Sequence, residues 1–190
     1  WRRVREAGVS DLVCPQRVEA HALPFAQGFF DVIVSVDAYQ YFGTDELYLA
    51  YVTGFLRPGG HIGIVVPGLA RELGEAPPPH LVEPQSNGAH FWEDECWSFR
   101  TAAWWAALWG RCGKVADVQT ALQPDGWRHW RDFERAMEAA GASRFPSYAE
   151  SIDTDAGRYI AFVRAVARRT EKSGANYYDA NLGALTGHDT

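Results

Sequence analysis

The chain has 190 residues, 47% of them apolar and 22% charged, which suffices for one globular domain with a continuous core. Its net charge of −6 argues against a general nucleic-acid or anionic-membrane surface, where Lys and Arg carry the binding, and leaves a small molecule as the expected partner. Cys14, Cys96 and Cys112 are odd in number and lack the spacing of a zinc knuckle or the density of a disulfide scaffold, so a reducing, cytoplasmic setting is expected. No apolar run approaches the roughly 20 residues that cross a bilayer, and Trp-Arg-Arg-Val-Arg at the start has no apolar signal-peptide core.

Val4 and Ala7 among charged residues, followed by Gly8, read as the tail of a helix. The chain thus opens with Trp inside an element and reads as part of something longer. A short strand is expected over Leu12–Val18, leading into Glu19. Phe30–Val36 (Phe-Asp-Val-Ile-Val-Ser-Val) is rich in β-branched residues and nearly continuous in apolar character, the pattern of a parallel strand covered on both faces. Thr44 is placed to cap a helix that carries Asp45 and Glu46 in its first turn, with Leu47, Tyr51 and Phe55 recurring every four residues. Pro58-Gly59-Gly60 stops that helix and Ile62–Val66 forms the next strand, so strand, helix and strand make a crossover unit of a parallel sheet.

The stretch from Pro67 to Gly88 is broken by prolines and glycines, including Pro77-Pro78-Pro79, and reads as a loop, the kind of segment that often carries function. Thr101 caps a further helix with Trp105 and Trp109 four apart, ending near Gly113. Val115–Thr120 is a strand, Trp127–Ala140 a helix closed by Gly141, and Tyr159–Ala167 the last strand. Residues 1–168 form the domain, and 169–190 are polar and Gly-rich, as expected of a flexible tail. The fold class is α/β.

Ligands of open α/β sheets bind at the carboxyl ends of strands, which here are Glu19-Ala20, Val36-Asp37 and Pro67-Gly68. None of the six histidines pairs at metal-ligand spacing. His90, in the loop before Phe91-Trp92, is a candidate general base, because imidazole titrates near neutral pH. Tyr39 and Tyr41 flank the end of the 30–36 strand, where phenols serve a site or an amphipathic cap equally well. Trp92, Trp97, Trp104, Trp105 and Trp109 either wall an apolar acceptor pocket or pack a core helix.

Glu-Ala-His-Ala-Leu-Pro-Phe (19–25), the strand ending in Ser-Val-Asp (35–37), and Leu-Arg-Pro-Gly-Gly (56–60) before a second strand resemble, in order and spacing, the middle of class I S-adenosylmethionine-dependent methyltransferases of the small-molecule type. The resemblance implies a Rossmann-like, three-layer α/β/α fold with a mostly parallel sheet, S-adenosylmethionine as cofactor and a small-molecule acceptor. It implies that Glu19, where the family has Asp, accepts from the adenine amino group, since an ionised carboxylate is acceptor only. Ala20 would offer its N–H to a ring nitrogen, the backbone of Val36 and Asp37 would face the methionine end, and Tyr41 would cover the adenine. Asp31 matches a structural position. The family has no fixed catalytic residue to carry over, because catalysis there is mainly orientation of an activated donor.

On the same resemblance, the glycine-rich cofactor turn and the ribose carboxylate would precede Trp1, with the first strands of the sheet. The 190-residue chain alone is then expected to bind cofactor weakly or not at all, and its free strand edge to favour self-association. Two other readings stay open: a non-catalytic binding or scaffold protein on a degenerate fold, and a nicotinamide-dependent oxidoreductase. Oligomeric state and acceptor identity are not encoded in any of these features.

Overall fold

A computed structural model of the chain describes residues 1–171. The expected tail from residue 172 onward lies outside the described residues. The helix tail at the start is present as α1 (Arg2–Glu6), followed by Gly8 at φ +66°. The four strands are β1 (Phe30–Val36), β2 (Leu56–Leu69), β3 (Val115–Leu122) and β4 (Ile160–Arg169). They form one sheet in the order β1-β2-β4-β3, with β1 parallel to β2 and β4 antiparallel to both its neighbours.

β1 and β2 are joined through α2 (Glu46–Thr53), the crossover the sequence predicts. Its cap is Asp45 and not Thr44: the Asp45 carboxylate accepts from the Tyr48 N–H at 2.8 Å, satisfying an otherwise orphaned donor of the first turn. α2 is buried on more than one side, from Tyr48 through Thr53, because it lies between the sheet and the segment containing residues 19–25. Tyr48 donates its hydroxyl to the Ala20 carbonyl and the Tyr51 hydroxyl accepts from the Leu23 N–H at 2.7 Å, so two phenols fasten the Glu19–Phe25 motif to the helix.

α4 (Ala102–Arg111) packs beside α2 on the same face of the sheet, capped by Thr101, whose hydroxyl accepts from the Trp104 N–H. Trp105 and Trp109 are fully buried there, with Ile62, Ile64, Val66 and Val163 beneath them. These tryptophans belong to the core and not to a lid. A second cluster, containing Leu69, Leu81, Phe91, Phe99, Ile152 and Ile160, gathers α3 (Pro79–Val82), α6 (Ala149–Asp155) and the start of β4. α5 (Gly126–Ala139) crosses the opposite face near Phe162, and a Cβ at Gly126 would meet the Phe162 Cβ at 3.0 Å, so glycine allows the helix to approach without displacing that neighbour.

Four further expectations are corrected. The sheet expected to be mostly parallel is mixed among the described residues, with only the β1–β2 pairing parallel, because β4 returns antiparallel between β2 and β3. Leu12–Val18 is not a strand: the segment runs without a ladder partner, and backbone pairing is what makes a strand. β1 exists as predicted but is covered on one face only; Ile33 and Ser35 share the covered side with Ile62 and Ile64, whereas Val32, Val34 and Val36 are 54%, 68% and 66% exposed. Leu56-Arg57-Pro58-Gly59-Gly60 lies inside β2 as an irregularity: β1 advances from Phe30 to Val32 while β2 advances from Leu56 to His61, and Gly59 takes φ +77°. Asp31 has the structural part expected of it, in an ion pair with Arg57. α6 was not foreseen; its sequence Ala-Glu-Ser-Ile-Asp-Thr-Asp has weak helix propensity and holds by tertiary contact.

Candidate active site

A cavity of about 860 Å³ opens at the carboxyl end of β1. Val36, Val65, Pro67 and Phe162 form its floor, all on the sheet face that α2 and α4 leave free. α5 contributes Trp130, Phe133 and Glu134, spaced so that one side of the helix overhangs the floor, with His129 adjoining. Phe91, Glu95, Cys96 and Phe99 close one wall, Phe145 and Tyr148 another, and Asp37 and Tyr41 stand at the strand end.

The wall is an aromatic network. Trp130 lies 5.3 Å from Phe162 and 5.5 Å from Phe91 between ring centroids, and Tyr148 meets Phe91 edge-on at 5.6 Å. The indole N–H of Trp130 donates to Glu134, whose other oxygen accepts from the Tyr148 N–H, so this carboxylate ties α5 to the approach of α6. Burial followed by the nearby Glu93 carboxylate pushes the Tyr148 phenol up to about 12, and burial pushes the Cys96 thiol up to about 11, so neither is an anionic nucleophile near neutral pH.

Behind this wall sits a buried clamp. Asp155, fully buried, accepts from the N–H groups of Tyr159 and Ile160 on one oxygen and faces His80 Nε2 at 2.9 Å on the other. It fixes the turn from α6, whose N-terminal end carries Tyr148, into β4.

Asp37 is the distinctive group. Its backbone is in the left-handed region at φ +52°, a strained state for a non-glycine residue that Asp tolerates better than most. The buried Gln40 side chain donates to its Oδ1 at 3.2 Å. The residue keeps contact with solvent, yet protein packed around the carboxyl raises its pKa, with the Gln40 hydrogen bond opposing in part. Burial first, then the charge of Asp37, raises the Tyr41 phenol.

The residues singled out from sequence divide into three groups. Val36, Asp37 and Tyr41 line the cavity together. Glu19 and Ala20 sit outside it, docked on α2; the Glu19 oxygens accept from the His21 N–H at 2.8 Å and lie 3.1 Å from His21 Nδ1, and these contacts hold its carboxyl below the usual range. Tyr39 and His90 do not face the cavity. Tyr39 is 2% exposed, packed against Trp105, Trp109 and Tyr48, and its phenol is raised well above its ordinary value by burial, which removes it as a catalytic candidate. His90 is exposed beyond the wall, with Nδ1 2.8 Å from the Val82 carbonyl. Among the lining residues the sequence did not flag are His129, Trp130, Phe133 and Glu134 of α5, whose three- and four-residue spacing marks a helix face but not what that face looks onto, and Glu95, Tyr148 and Phe162, which come from separate segments.

Residues 2–64 match the model of a family described as a methyltransferase domain. The chain, with one parallel crossover and an antiparallel β4, aligns in structure with solved methyltransferases. The chain has the class I methyltransferase fold. A Galdieria sulphuraria protein provisionally assigned as a sarcosine dimethylglycine methyltransferase aligns with a TM-score of 0.61 at 16% identity, over 90% of this chain and 65% of that one. The cyclase SpnF aligns at 0.60 and 17%, over 89% and 61%. Geranyl diphosphate C-methyltransferase from Streptomyces coelicolor A3(2), solved with Mg2+, geranyl diphosphate and S-adenosyl-L-homocysteine, aligns at 0.56 and 19%, over 89% and 57%. No match was found among curated proteins. The chain therefore spans less than two thirds of the length of these neighbours, and a cyclase among them makes plain that this methyltransferase fold does not by itself fix the reaction. No described helix is long and apolar enough to cross a membrane.

Proposed function

We propose that the protein is an S-adenosylmethionine-dependent methyltransferase acting on a small-molecule acceptor, and that the cavity beside Asp37 holds that acceptor. The observation carrying this reading is the meeting of Val36, Asp37 and Tyr41, at the strand end where the fold family turns its cofactor's reactive end, with an aromatic-walled cavity large enough for a small molecule.

The residues present fit the cofactor. Glu19 and Ala20 would hold the adenine, and the two contacts already made by Glu19 leave part of its roughly four acceptor positions free. Backbone groups at Val36 and Asp37 would border the methionine portion, on a segment whose left-handed residue is held by Gln40. When bound, S-adenosylmethionine supplies a methyl group activated on a sulfonium. What this chain adds is placement: the floor and α5 orient the acceptor's apolar body, the aromatic wall excludes water, and Asp37 is an acceptor for a proton on the group facing β1.

Calorimetric titration of S-adenosylhomocysteine tests the reading, using the 190-residue chain and a form extended upstream of Trp1. Micromolar binding by the extended form, with weak or absent binding by the 190-residue chain, is the expected result. Binding by neither favours a non-catalytic protein on this fold.

A further inference from the structure

The cavity selects by charge. Among its lining residues are three carboxylates, Asp37, Glu95 and Glu134, against one imidazole, His129, and no Lys or Arg. Glu134 is occupied by Trp130 and Tyr148, whereas Asp37 and Glu95 form no ion pair among the described residues. Arginines do surround α5, but each is turned to a carboxylate outside the cavity: Arg128 to Asp125, Arg131 to Asp132 and Asp153, and Arg135 to Asp153. The mouth presents Phe133, Phe145 and Tyr41 at 61%, 76% and 59% exposure, a cluster of uncovered rings of the kind that marks a ligand surface.

We infer that the ligand of this cavity is a cationic amine carried on an aromatic or branched apolar body, its ammonium directed to Asp37 and Glu95 and its body against the rings of Trp130, Phe133 and Phe162. A carboxylate accepts and does not donate, so the ligand must bring the donors, and an ammonium brings them together with the opposite charge. Ring faces attract the same charge, adding cation–π stabilisation in a partly desolvated site. Anionic acceptors meet unpaired like charge. No three His, Cys, Asp or Glu side chains among the described residues converge as a metal-binding group, and a diphosphate bridged by Mg2+ to one or two carboxylates is the competing ligand that the third probe below reads. The inference deepens the methyltransferase reading, on which it rests for naming this ligand the acceptor.

Binding of three probes, followed by intrinsic tryptophan fluorescence and by calorimetry, separates the possibilities: phenethylamine, 3-phenylpropionate, and geranyl diphosphate with Mg2+. The expected result is at least about tenfold tighter binding of the amine than of the carboxylate, with the ratio falling toward one in the double variant Asp37→Asn, Glu95→Gln. The single variant Glu95→Lys, at an exposed position that leaves folding intact, reverses the preference. Equal or tighter binding of either anion, no binding of the amine at millimolar concentration, or a ratio indifferent to these substitutions overturns the inference. S-adenosylhomocysteine titration of the form extended upstream of Trp1 keeps the two claims apart: amine selectivity without S-adenosylhomocysteine binding by that form defeats the methyltransferase reading alone, and such binding without amine selectivity defeats the inference alone.

Discussion

The two faces of the sheet are built from similar residues and meet opposite fates. On one, Ile62, Ile64 and Val66 disappear beneath Trp105 and Trp109, at the cost that both indole N–H groups and the hydroxyl of the adjoining Tyr39 are buried without a partner. On the other, Val32, Val34 and Val36 stay exposed while α5 shields only the end of the floor near Phe162. β-Branched apolar sequence makes a strand on either face; what covers it is decided by helices elsewhere in the chain. The covered face supplies stability and the half-covered face supplies the cavity.

That contrast is measurable. Trp105→Ala is expected to cost about 3–5 kcal/mol by urea denaturation, as large core truncations do, whereas Val34→Ala should stay within about 0.5 kcal/mol. A loss of several kcal/mol from Val34→Ala would mean that the open face is covered in solution, by a second copy or by other protein, and the comparison would collapse. Asp155→Ala comes next. It leaves the Tyr159 and Ile160 N–H groups and His80 without their acceptor in a fully buried place, and a loss of roughly 3 kcal/mol is expected, accompanied by a change in Trp130 fluorescence as the Tyr148 wall moves. A stability loss with unchanged fluorescence would show that the clamp holds the core and not the cavity.

How far the sequence reveals this arrangement differs along the same line. The crossover β1-α2-β2 is legible because strand and helix periodicities alternate cleanly, and the Thr101 cap and the Trp105, Trp109 spacing mark α4. Segment 12–18 misleads because apolar content cannot say whether a ladder partner is at hand. The motif Glu19–Phe25 is recognisable, yet its fastening by Tyr48 and Tyr51 is tertiary and invisible in one dimension. Of the cavity, Val36, Asp37 and Tyr41 are found by the strand-end rule; Trp130, Phe133 and Phe162 are not, since they come together only when α5 folds back over β4.

A smaller effect separates the two ends of the β1–β2 pair. Gly59 stands in open space at φ +77°, so Gly59→Ala meets no clash and should cost only about 1 kcal/mol of backbone strain in chemical denaturation. Cofactor and probe binding should not change, because the irregularity lies at the strand end remote from Asp37. Weakened amine binding in this variant would tie the cavity to strand register.

The smallest effect has the opposite sign and bears most directly on the open face. Packing raises the Asp37 pKa above its unfolded value, so its contribution to stability is fully present below the unfolded carboxylate range and is lost as pH rises through the folded value. At about pH 7 the ionised carboxylate therefore weighs against folding, whereas at about pH 3.5 the protonated form does not. Asp37→Asn keeps an oxygen for the Gln40 side chain and tolerates the left-handed backbone, so it removes the charge with little else. The variant should melt slightly above the parent near neutral pH, the difference should close on acidification, and amine selectivity should fall in the same protein. A variant that melts lower at neutral pH would mean that Asp37 already satisfies its charge within the fold. Its carboxylate would then not be held available to a ligand, and the open face would lose the group that makes it a site.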